Sequence, residues 1–385
     1  MLKCFIGHSE DPDSESAVVE VVEQLRAELG DVMPQAGILF AAIDFEHELI
    51  LQQVTAAFPG IELIGGTTDG EISSLLEFQQ DSLALMVFCS DTITISAGIG
   101  QKVSEDVAIA AKNAVEQAIV AHEEPVKLCI SIPESLTVGG DSILDALKVT
   151  LGADIPIFGG LTADQWQMKQ TYQFFKSEVH SDAVPVLLFS GAVKFSHGIA
   201  SGWQPIGKPG VVTKAIANIV YEIDHQPAQA FYSRYLGNML PSLEYPLALF
   251  DSDDGDRHFM RAPIGLEDPE IGSIHFLGYV PTHSIVQITE ATHETIIAAS
   301  QQSFDQAIAA YPGDSPAAAL FFSCAGRRRI LGSRTAEEYG QIQQSLEKAL
   351  PSCGFYTNGE IAPLQDQGVS CFHNETFITL ILGEV

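Results

Sequence analysis

Residues 61–72, IELIGGTTDGEI, decide the fold class, because a short apolar strand runs there directly into a glycine-rich turn. A buried strand at 37–43 and a helix over 46–57 precede this stretch, and strands at 81–88 and 92–100 follow it. The pattern therefore predicts a unit of strand, helix, strand, turn and hairpin.

The same order recurs twice downstream. IPIFGGLTAD at 155–164 repeats the glycine pair, and SCGFYTNGEI at 352–361 repeats the Gly-Glu-Ile ending. Each strand-helix-strand unit buries little surface alone, so the units must share sheets. We predict an α/β fold of mixed sheets. Its N-terminal domain covers 1–203, duplicated as about 1–100 and 101–203, and an α/β domain with a third related unit covers 204–385.

Composition excludes several classes of partner. The chain has 385 residues, with 50 acidic against 19 basic side chains and a net charge of −31. Such a surface repels nucleic acid and anionic lipid. The longest unbroken apolar run, Leu83–Cys89, is far shorter than the ~20 residues of a membrane-spanning helix. Six cysteines without a Cys-x-x-Cys pair indicate reduced thiols, and we expect a cytoplasmic protein.

Catalytic signatures are missing from the sequence. It contains no phosphate-binding P-loop, no Gly-x-Ser-x-Gly nucleophile elbow and no His-Glu-x-x-His zinc motif. We therefore expect a binding protein rather than an enzyme.

The glycine turns are the first candidate site. Their backbone N–H groups can face an anion, and the acidic side chains beside them can recognise an amine. The residues at these turns are Thr68, Glu71, Thr357 and Glu360. The alternative is that they form tight turns only, where Asp69 and Asn358 tolerate the left-handed conformation.

The arginines are the second candidate, because six of the eight lie in two short segments. The first segment has Arg257 and Arg261, and the second has Arg327, Arg328, Arg329 and Arg334. In so acidic a chain this clustering suggests a carboxylate or phosphate site. The alternative is a solvated loop that pairs with Glu337 and Glu338. On extended chain one of three successive arginines would face inward.

DRHFMRAP at 256–263 is the third candidate. As a strand it places His258 and Met260 on one face and the two arginines on the other. His258 is then a possible axial ligand of haem b, with the arginines near the propionates. His197 and His373 are weaker candidates. The alternative is that His258 is a structural residue.

Several motifs resemble a known family. GGTTDGEI, GWQPIG, GRRRILG and GFYTNGEIAP are similar to the FIST N and FIST C domains. The resemblance implies a cytoplasmic sensory module that binds small ligands, with amino acids proposed, and that is often fused to a signalling output. Here we expect it to act through a separate protein such as a histidine kinase. Free-standing members are similar to the nitric-oxide-sensing NosP-type proteins, which bind haem.

Three function hypotheses follow. The first is a haem-bound nitric oxide sensor with His258 on the iron, which regulates a separate histidine kinase. The second is an amino-acid sensor, with Arg327–Arg329 on the carboxylate and Glu71 or Glu360 on the amine. The third is a scaffold whose acidic face binds a protein and no small ligand.

Overall fold

The computed structural model describes residues 1–250, 258–346, 350–365 and 368–384. These residues form three related units and one further sheet inserted into the third unit. Each unit runs strand, helix, strand, helix, strand, hairpin, strand, which confirms the predicted mixed α/β class. The predicted repeats begin too late, however, because the strand at 92–100 opens the second unit instead of closing the first.

Unit 1 covers residues 3–89. Its elements are β1 (Lys3–Ser9), α1 (Ser14–Leu29), β2 (Ala36–Ala41), α2 (His47–Ala57), β3 (Glu62–Thr67), the hairpin β4 (Glu71–Ser73) and β5 (Glu77–Gln79), and β6 (Leu83–Cys89).

Unit 2 covers residues 93–191. Its elements are β7 (Ile93–Gln101), α3 (Val107–Ile119), β8 (Val126–Ser131), α4 (Gly140–Leu151), β9 (Ile157–Gly160), the hairpin β10 (Gln173–Phe175) and β11 (Glu178–His180), and β12 (Ala183–Gly191).

The inserted sheet covers residues 204–290 and interrupts unit 3. Its elements are β14 (Gln204–Pro205), β15 (Gly210–Ile216), β16 (Ile219–Ile223), β17 (Gln226–Pro227), α5 (Ala228–Leu236), β18 (Leu247–Phe250), β19 (His258–Arg261), β20 (Pro263–Asp268), β21 (Ser273–Phe276) and β22 (Ile285–Glu290).

Unit 3 joins residues 193–200 to residues 293–384. Its elements are β13 (Val193–Ala200), α6 (His293–Ala310), β23 (Ala318–Cys324), α7 (Ala325–Leu331), a 3-10 turn (Gly332–Arg334), α8 (Ala336–Ser345), β24 (Ser352–Thr357), the hairpin β25 (Glu360–Pro363) and β26 (Ser370–His373), and β27 (Phe377–Glu384).

Each unit gives its hairpin to a neighbour. In the sheet of each unit the first strand pairs with the last, then the second and third strands follow, and a hairpin from another unit completes the edge. The hairpin of unit 2 extends the sheet of unit 1, that of unit 3 extends unit 2, and that of unit 1 extends unit 3. The exchange is cyclic, so the sheets cross the sequence-predicted boundary between residues 203 and 204.

The three sheets share one apolar core. Their inner faces meet there, with Phe40 stacked on Phe355 at 4.5 Å between ring centroids and Phe88 edge-on to Phe189 at 5.9 Å. Helices cover the outer faces with separate apolar clusters. Because both faces of each sheet are buried, the central strands are continuous apolar runs such as LALMVFC in β6. Within the described residues, no helix is long and apolar enough to cross a membrane.

The repeated glycines serve close packing inside the sheets. Gly65, Gly159 and Gly354 each lie directly opposite the preceding parallel strand, and a side chain there would meet the carbonyl oxygens of Leu39, Ser131 and Phe321. Gly65-Gly66 therefore belongs to a strand, and its predicted role as a turn that cradles an anion is wrong. The turn glycines are Gly70 and Gly359, with φ of 118° and 152°.

Candidate functional site

The ends of three equivalent strands meet at the centre of the molecule. A residue one to three positions after each strand donates its backbone N–H to a carbonyl oxygen of a neighbouring unit, and the three bonds close a ring. They run from Asp69 to Tyr356 O at 2.9 Å, from Ala163 to Thr67 O at 2.8 Å and from Asn358 to Leu161 O at 3.3 Å. The exchanged hairpins begin beside this ring and bring their first side chains to it.

The first residues of the hairpins are equivalent: Glu71, Gln173 and Glu360. Glu71 is completely buried and accepts hydrogen bonds from Thr68 Oγ1 and from Ser82 Oγ, the latter at 2.5 Å. Burial raises the pKa of Glu71 to about 8, although the two hydroxyl donors oppose this shift. Both carboxyl oxygens of Glu71 therefore have donors from unit 1.

Glu360 is only half satisfied. Its Oε2 accepts from the backbone N–H of Thr376 at 3.1 Å and from Thr376 Oγ1 at 2.7 Å. Its Oε1 is buried and has no donor among the described residues. Burial raises the pKa of this carboxyl well above its usual range, and the nearby carboxyl of Glu375 adds to the shift. One acceptor at the centre is thus left without a partner.

Glu375 is less satisfied still. Its side chain is fully buried, and neither carboxyl oxygen has a hydrogen-bond donor in the described part of the chain. Its backbone is left-handed, with φ of 56°. Burial raises the pKa of Glu375 to about 8, against the opposing attraction of Arg327. Strained backbone and unsatisfied buried polar atoms are both costly and are concentrated at functional sites.

The equivalent carboxyls of the other units are satisfied. Asp81 of unit 1 is exposed and accepts a hydrogen bond from Gln165 Nε2 at 2.7 Å. Asp182 of unit 2 accepts from Ser104 N at 2.8 Å, Ser104 Oγ at 2.6 Å and Thr137 Oγ1 at 3.1 Å. Only unit 3 buries the carboxyl at this position without donors, so the feature is not a requirement of the fold.

The three successive arginines lie in helix α7 and not on extended chain, so the expected alternation is wrong. A helix turns about 100° per residue, and the three side chains therefore point in three directions. Arg327 is completely buried, with Nε 3.0 Å from Glu338 Oε1, Nη2 2.8 Å from Ile296 O, and Nη1 bonded to Ser201 O. Four of its five N–H groups are already used, since Nη2 also donates to Glu338 Oε1 at 2.5 Å, and Arg327 is therefore poorly placed to take the predicted ligand carboxylate.

The other two arginines of α7 contact units 1 and 2. Arg328 Nη1 lies 3.1 Å from Asp69 Oδ2 and also bonds to the backbone carbonyl of Asp69. Burial raises the pKa of Asp69, and Arg328 opposes that shift. Arg329 is exposed, and its guanidinium lies 4.7 Å from the centre of the Trp166 ring. Arg334 also pairs on the surface, with Glu294 and Glu337 at 2.8 Å.

The described part of the histidine segment is β19 of the inserted sheet, whose Met260 belongs to the same apolar cluster as Leu331 of α7. Arg257 falls outside the described residues. Arg261 is buried, and its guanidinium donates to Tyr279 O at 2.8 Å and to Phe372 O at 3.0 Å, with Asp141 at 3.5 Å. These bonds tie Arg261 to the inserted sheet, to the hairpin of unit 3 and to unit 2, which weighs against its predicted role at a haem propionate.

His258 and Met260 line a cleft of about 380 Å³ together with Ser201, Trp203, His373 and Thr376. The ring of His258 packs 5.3 Å from that of Phe250. His373 is buried, its ring lies 3.0 Å from Ala362 O, and burial lowers its pKa to about 4. His197 Nε2 lies 2.9 Å from Pro363 O. Thr376, on the wall of this cleft, also binds Glu360, so the cleft adjoins the carboxyl pair.

The thiol of Cys324 lies close enough to this pair to be influenced by its charge. Cys324 precedes α7, and burial together with Glu360 and Glu375 raises the pKa of its thiol well above the usual value. The thiolate, not the thiol, attacks and binds metals. Among the described residues, no group of three or more His, Cys, Asp or Glu side chains is arranged to hold a metal ion.

Gly326 tests how tightly Glu375 is held. A Cβ at Gly326 would lie 2.5 Å from Glu375 Oε1. We expect Gly326→Ala to lower the free energy of unfolding in urea by about 1–3 kcal/mol, because the buried carboxyl has to move. Gly340→Ala in α8 is the matched control. No atom lies within 4 Å of a Cβ there, so that change should be neutral or stabilising by up to about 1 kcal/mol. Equal effects of the two changes would contradict this packing.

Sequence comparisons place the chain among known proteins. A family model described as the FIST N domain matches residues 35–226, and one described as the FIST C domain matches residues 228–363. An uncharacterized protein of Mycobacterium tuberculosis is 22% identical over 377 residues, covering 94% of this chain and 95% of the relative.

Two other proteins show weaker similarity to this chain. An uncharacterized protein of Methanocaldococcus jannaschii is 35% identical over 105 residues, which is 27% of this chain and only 20% of that relative. A structural alignment with a crystal structure of cyanuric acid hydrolase from A. caulinodans covers 100% of this chain and 99% of that one. Its TM-score is 0.41 and its sequence identity is 8%, and a similarity this low carries no argument about fold or activity. The matches to both domain models show that the chain belongs to the FIST family of sensory, small-ligand-binding domains.

Proposed function

We propose that this protein is a sensor whose small ligand carries a primary amine, as an amino acid does, and that the ammonium group binds between Glu360 and Glu375. One observation carries the proposal: both oxygens of Glu375 are buried without a hydrogen-bond donor in the described residues. A buried polar atom left without a partner costs about 1–3 kcal/mol, and more if it is charged. A ligand that supplies donors recovers this cost.

The charge of the site favours a cation. Glu360 and Glu375 are neighbouring acids, and each holds its proton more tightly than usual because of burial. An ammonium group has three N–H donors and a positive charge, so it matches the three free oxygens, Glu360 Oε1 and both of Glu375. An anion would instead face two acids. These observations support the part of the amino-acid hypothesis in which an acid binds the ligand amine. Glu71 already has its donors, so we assign its role to Glu375 beside Glu360.

Arg328 is the α7 side chain that remains suited to a ligand carboxylate. Its guanidinium is mostly buried and shared with Asp69, whereas Arg327 is fully buried and already bonded to Glu338, to Ile296 O and to Ser201 O. The cleft of about 380 Å³ is within the usual range for small-molecule sites and supplies a route to Glu360 through Thr376.

Helix α7 links the site to its surroundings. Gly326 lies against the carboxyl of Glu375, and the following three arginines contact Ser201, Asp69 and Trp166. Ionisation of Glu375 by a bound ammonium changes the charge at the start of this helix. We propose that the change passes through α7 to a separate signalling protein, such as a histidine kinase. The sensor itself binds its ligand without converting it.

The haem hypothesis keeps one supporting observation, because His258 and Met260 face the same cleft. Against it, Arg261 is held inside the protein and His373 already bonds to a backbone carbonyl, so the described residues do not fit a haem with paired propionates. It stays a prediction, which an absorption spectrum of reduced protein with and without nitric oxide tests. A gas-sensitive Soret band that vanishes in His258→Ala would restore it.

A thermal-unfolding screen with the common amino acids and methylammonium at pH 8 tests the proposal. We expect at least one amine to stabilise the protein, by about 2.7 kcal/mol at 100 times its dissociation constant. The shift should vanish in Glu375→Gln and persist in Asp81→Asn, the exposed equivalent in unit 1. If no amine stabilises the protein, the scaffold hypothesis takes its place.

A further inference from the structure

A second cleft, of about 750 Å³, lies between α7, the loop at 165–170 and the inserted sheet. Aromatic and apolar side chains from these parts line it: Trp166, Trp203, Tyr245, Ile264 and Ile330. The chain has two tryptophans, and both lie here. Arg329 supplies a positive charge. Trp203 also lines the smaller cleft beside the Glu360–Glu375 pair, whereas Arg329 and Trp166 line this cleft and not the smaller one.

Arg329 has the properties of an anion receptor. It is exposed, and no acidic side chain pairs with it in the described part of a chain whose net charge is −31. Its neighbours Arg327 and Arg328 are paired with Glu338 and Asp69. The guanidinium carbon of Arg329 lies over the Trp166 ring, and Arg329 makes no side-chain hydrogen bond within the described residues, so its N–H groups remain available for a carboxylate.

The loop that carries Trp166 is held in a costly conformation. Gln165, Trp166 and Met168 have φ of 55°, 63° and 51°, in the left-handed region. The carboxylate of Asp164 fixes the loop by accepting backbone N–H bonds from Met168, Lys169 and Gln170 at 3.0, 2.7 and 3.2 Å. Left-handed backbone costs about 1–3 kcal/mol per residue and persists where its surroundings enforce it.

This loop is also specific to unit 2. The equivalent hairpin turns of units 1 and 3 are short, reaching the hairpin within Thr68–Glu71 and Thr357–Glu360, whereas unit 2 inserts the loop before Gln173. The repetition of the three units therefore does not account for the position of Trp166 over Arg329. That position is accounted for if the loop serves to hold an aromatic wall beside a cation.

We propose that this cleft binds a planar aromatic carboxylate, with its ring against Trp166 and Tyr245 and its carboxylate on Arg329. Aromatic and apolar walls with a few fixed polar groups are typical of small-molecule sites, and the volume suits a ring system. Exposed Glu244 and Glu290 also line the cleft, so a multiply charged anion such as a nucleotide is disfavoured. This site does not depend on the proposed amine site.

Isothermal titration of the full chain with 2-naphthoate tests the proposal. Naphthalene-2-methanol keeps the ring without the charge, and cyclohexanecarboxylate keeps the charge without the planar ring. We expect each to bind at least tenfold more weakly than 2-naphthoate. Arg329→Gln and Trp166→Ala should each weaken 2-naphthoate by at least tenfold. Arg26→Gln, at an exposed arginine of α1, should leave its affinity unchanged.

Tryptophan fluorescence gives a second readout, because both tryptophans line the cleft. In Trp166→Phe the remaining emission comes from Trp203. Benzoate, a smaller planar aromatic carboxylate, should still change this emission when it binds. Binding of 2-naphthoate that is unaffected by Arg329→Gln would overturn the proposal, as would no binding at all. Equal affinity for the alcohol and the carboxylate would also overturn it, since the cation would then play no part.

Discussion

Glu375→Gln is expected to make protein stability much less dependent on pH. The folded-state pKa of Glu375 is about 8, against an ordinary value of 4.5. A raised acid pKa contributes stability that is complete below the ordinary value and is lost as pH rises through the folded-state value. Between pH 5 and 7.5 this carboxyl should therefore cost the wild type about 3 kcal/mol of unfolding free energy, at 1.36 kcal/mol per pH unit.

Urea unfolding at several pH values between 5 and 8 measures this effect. Glutamine cannot ionise, so the loss of unfolding free energy between pH 5 and 7.5 should be about 3 kcal/mol smaller in the variant than in the wild type. Glu71 and Glu360 keep their own contributions in both proteins. Asp81→Asn serves as the control because its side chain is exposed and hydrogen-bonded, and it should behave as the wild type. An unchanged pH dependence in Glu375→Gln would mean that this carboxyl has donors and is ordinary.

Arg327→Met is expected to cause the second large effect, a loss of about 3–5 kcal/mol of unfolding free energy. The guanidinium pairs with Glu338, whose Oε2 accepts from Tyr356 Oη at 2.6 Å, and both partners of the ion pair are fully buried. Removing the arginine leaves an uncompensated buried acid. It also removes the donors to Ser201 O and Ile296 O, which tie the start of the inserted sheet and α6 to α7.

Arg334→Met is the matched control for that experiment. Arg334 follows α7 closely and also contacts two glutamates, but its partners Glu294 and Glu337 are on the surface. Exposed pairs contribute little to stability, so chemical unfolding of this variant should resemble that of the wild type. If Arg327→Met and Arg334→Met are equally mild, the buried network does not stabilise unit 3.

The repeated units could be predicted because their signals are local. Apolar runs and the recurring glycines mark β2, β3, β8, β9 and β24, and helical spacing marks α2 and α6. The apolar spacing of residues 291–311 indicates a helix with Ile296, Ile297, Phe304, Ala307 and Ile308 on one face. In α6 the first four are buried, whereas Ile308 is 37% exposed. The cyclic exchange of hairpins could not be predicted, since pairing between units depends on contacts that no local pattern records.

The candidate site was only partly accessible to sequence reasoning. Glu360 was found because Gly-Glu-Ile recurs, and the arginines because they cluster. Glu375 was missed, since a glutamate in FHNETF resembles any loop acid and its burial depends on α7. One signal existed: an acid precedes the last strand of every unit, at Asp81, Asp182 and Glu375. Trp166 was missed because its role depends on the loop that crosses to Arg329.

Proton release on ligand binding tests the central claim most directly. If an ammonium group ionises Glu375, titration calorimetry with an amine from the thermal screen should detect release of about one proton per ligand at pH 7, in buffers of different ionisation enthalpy. Affinity should also rise about tenfold per pH unit between pH 6 and 7.5, and both effects should disappear in Glu375→Gln. Binding without proton release, or binding that survives this change at full affinity, would contradict the account.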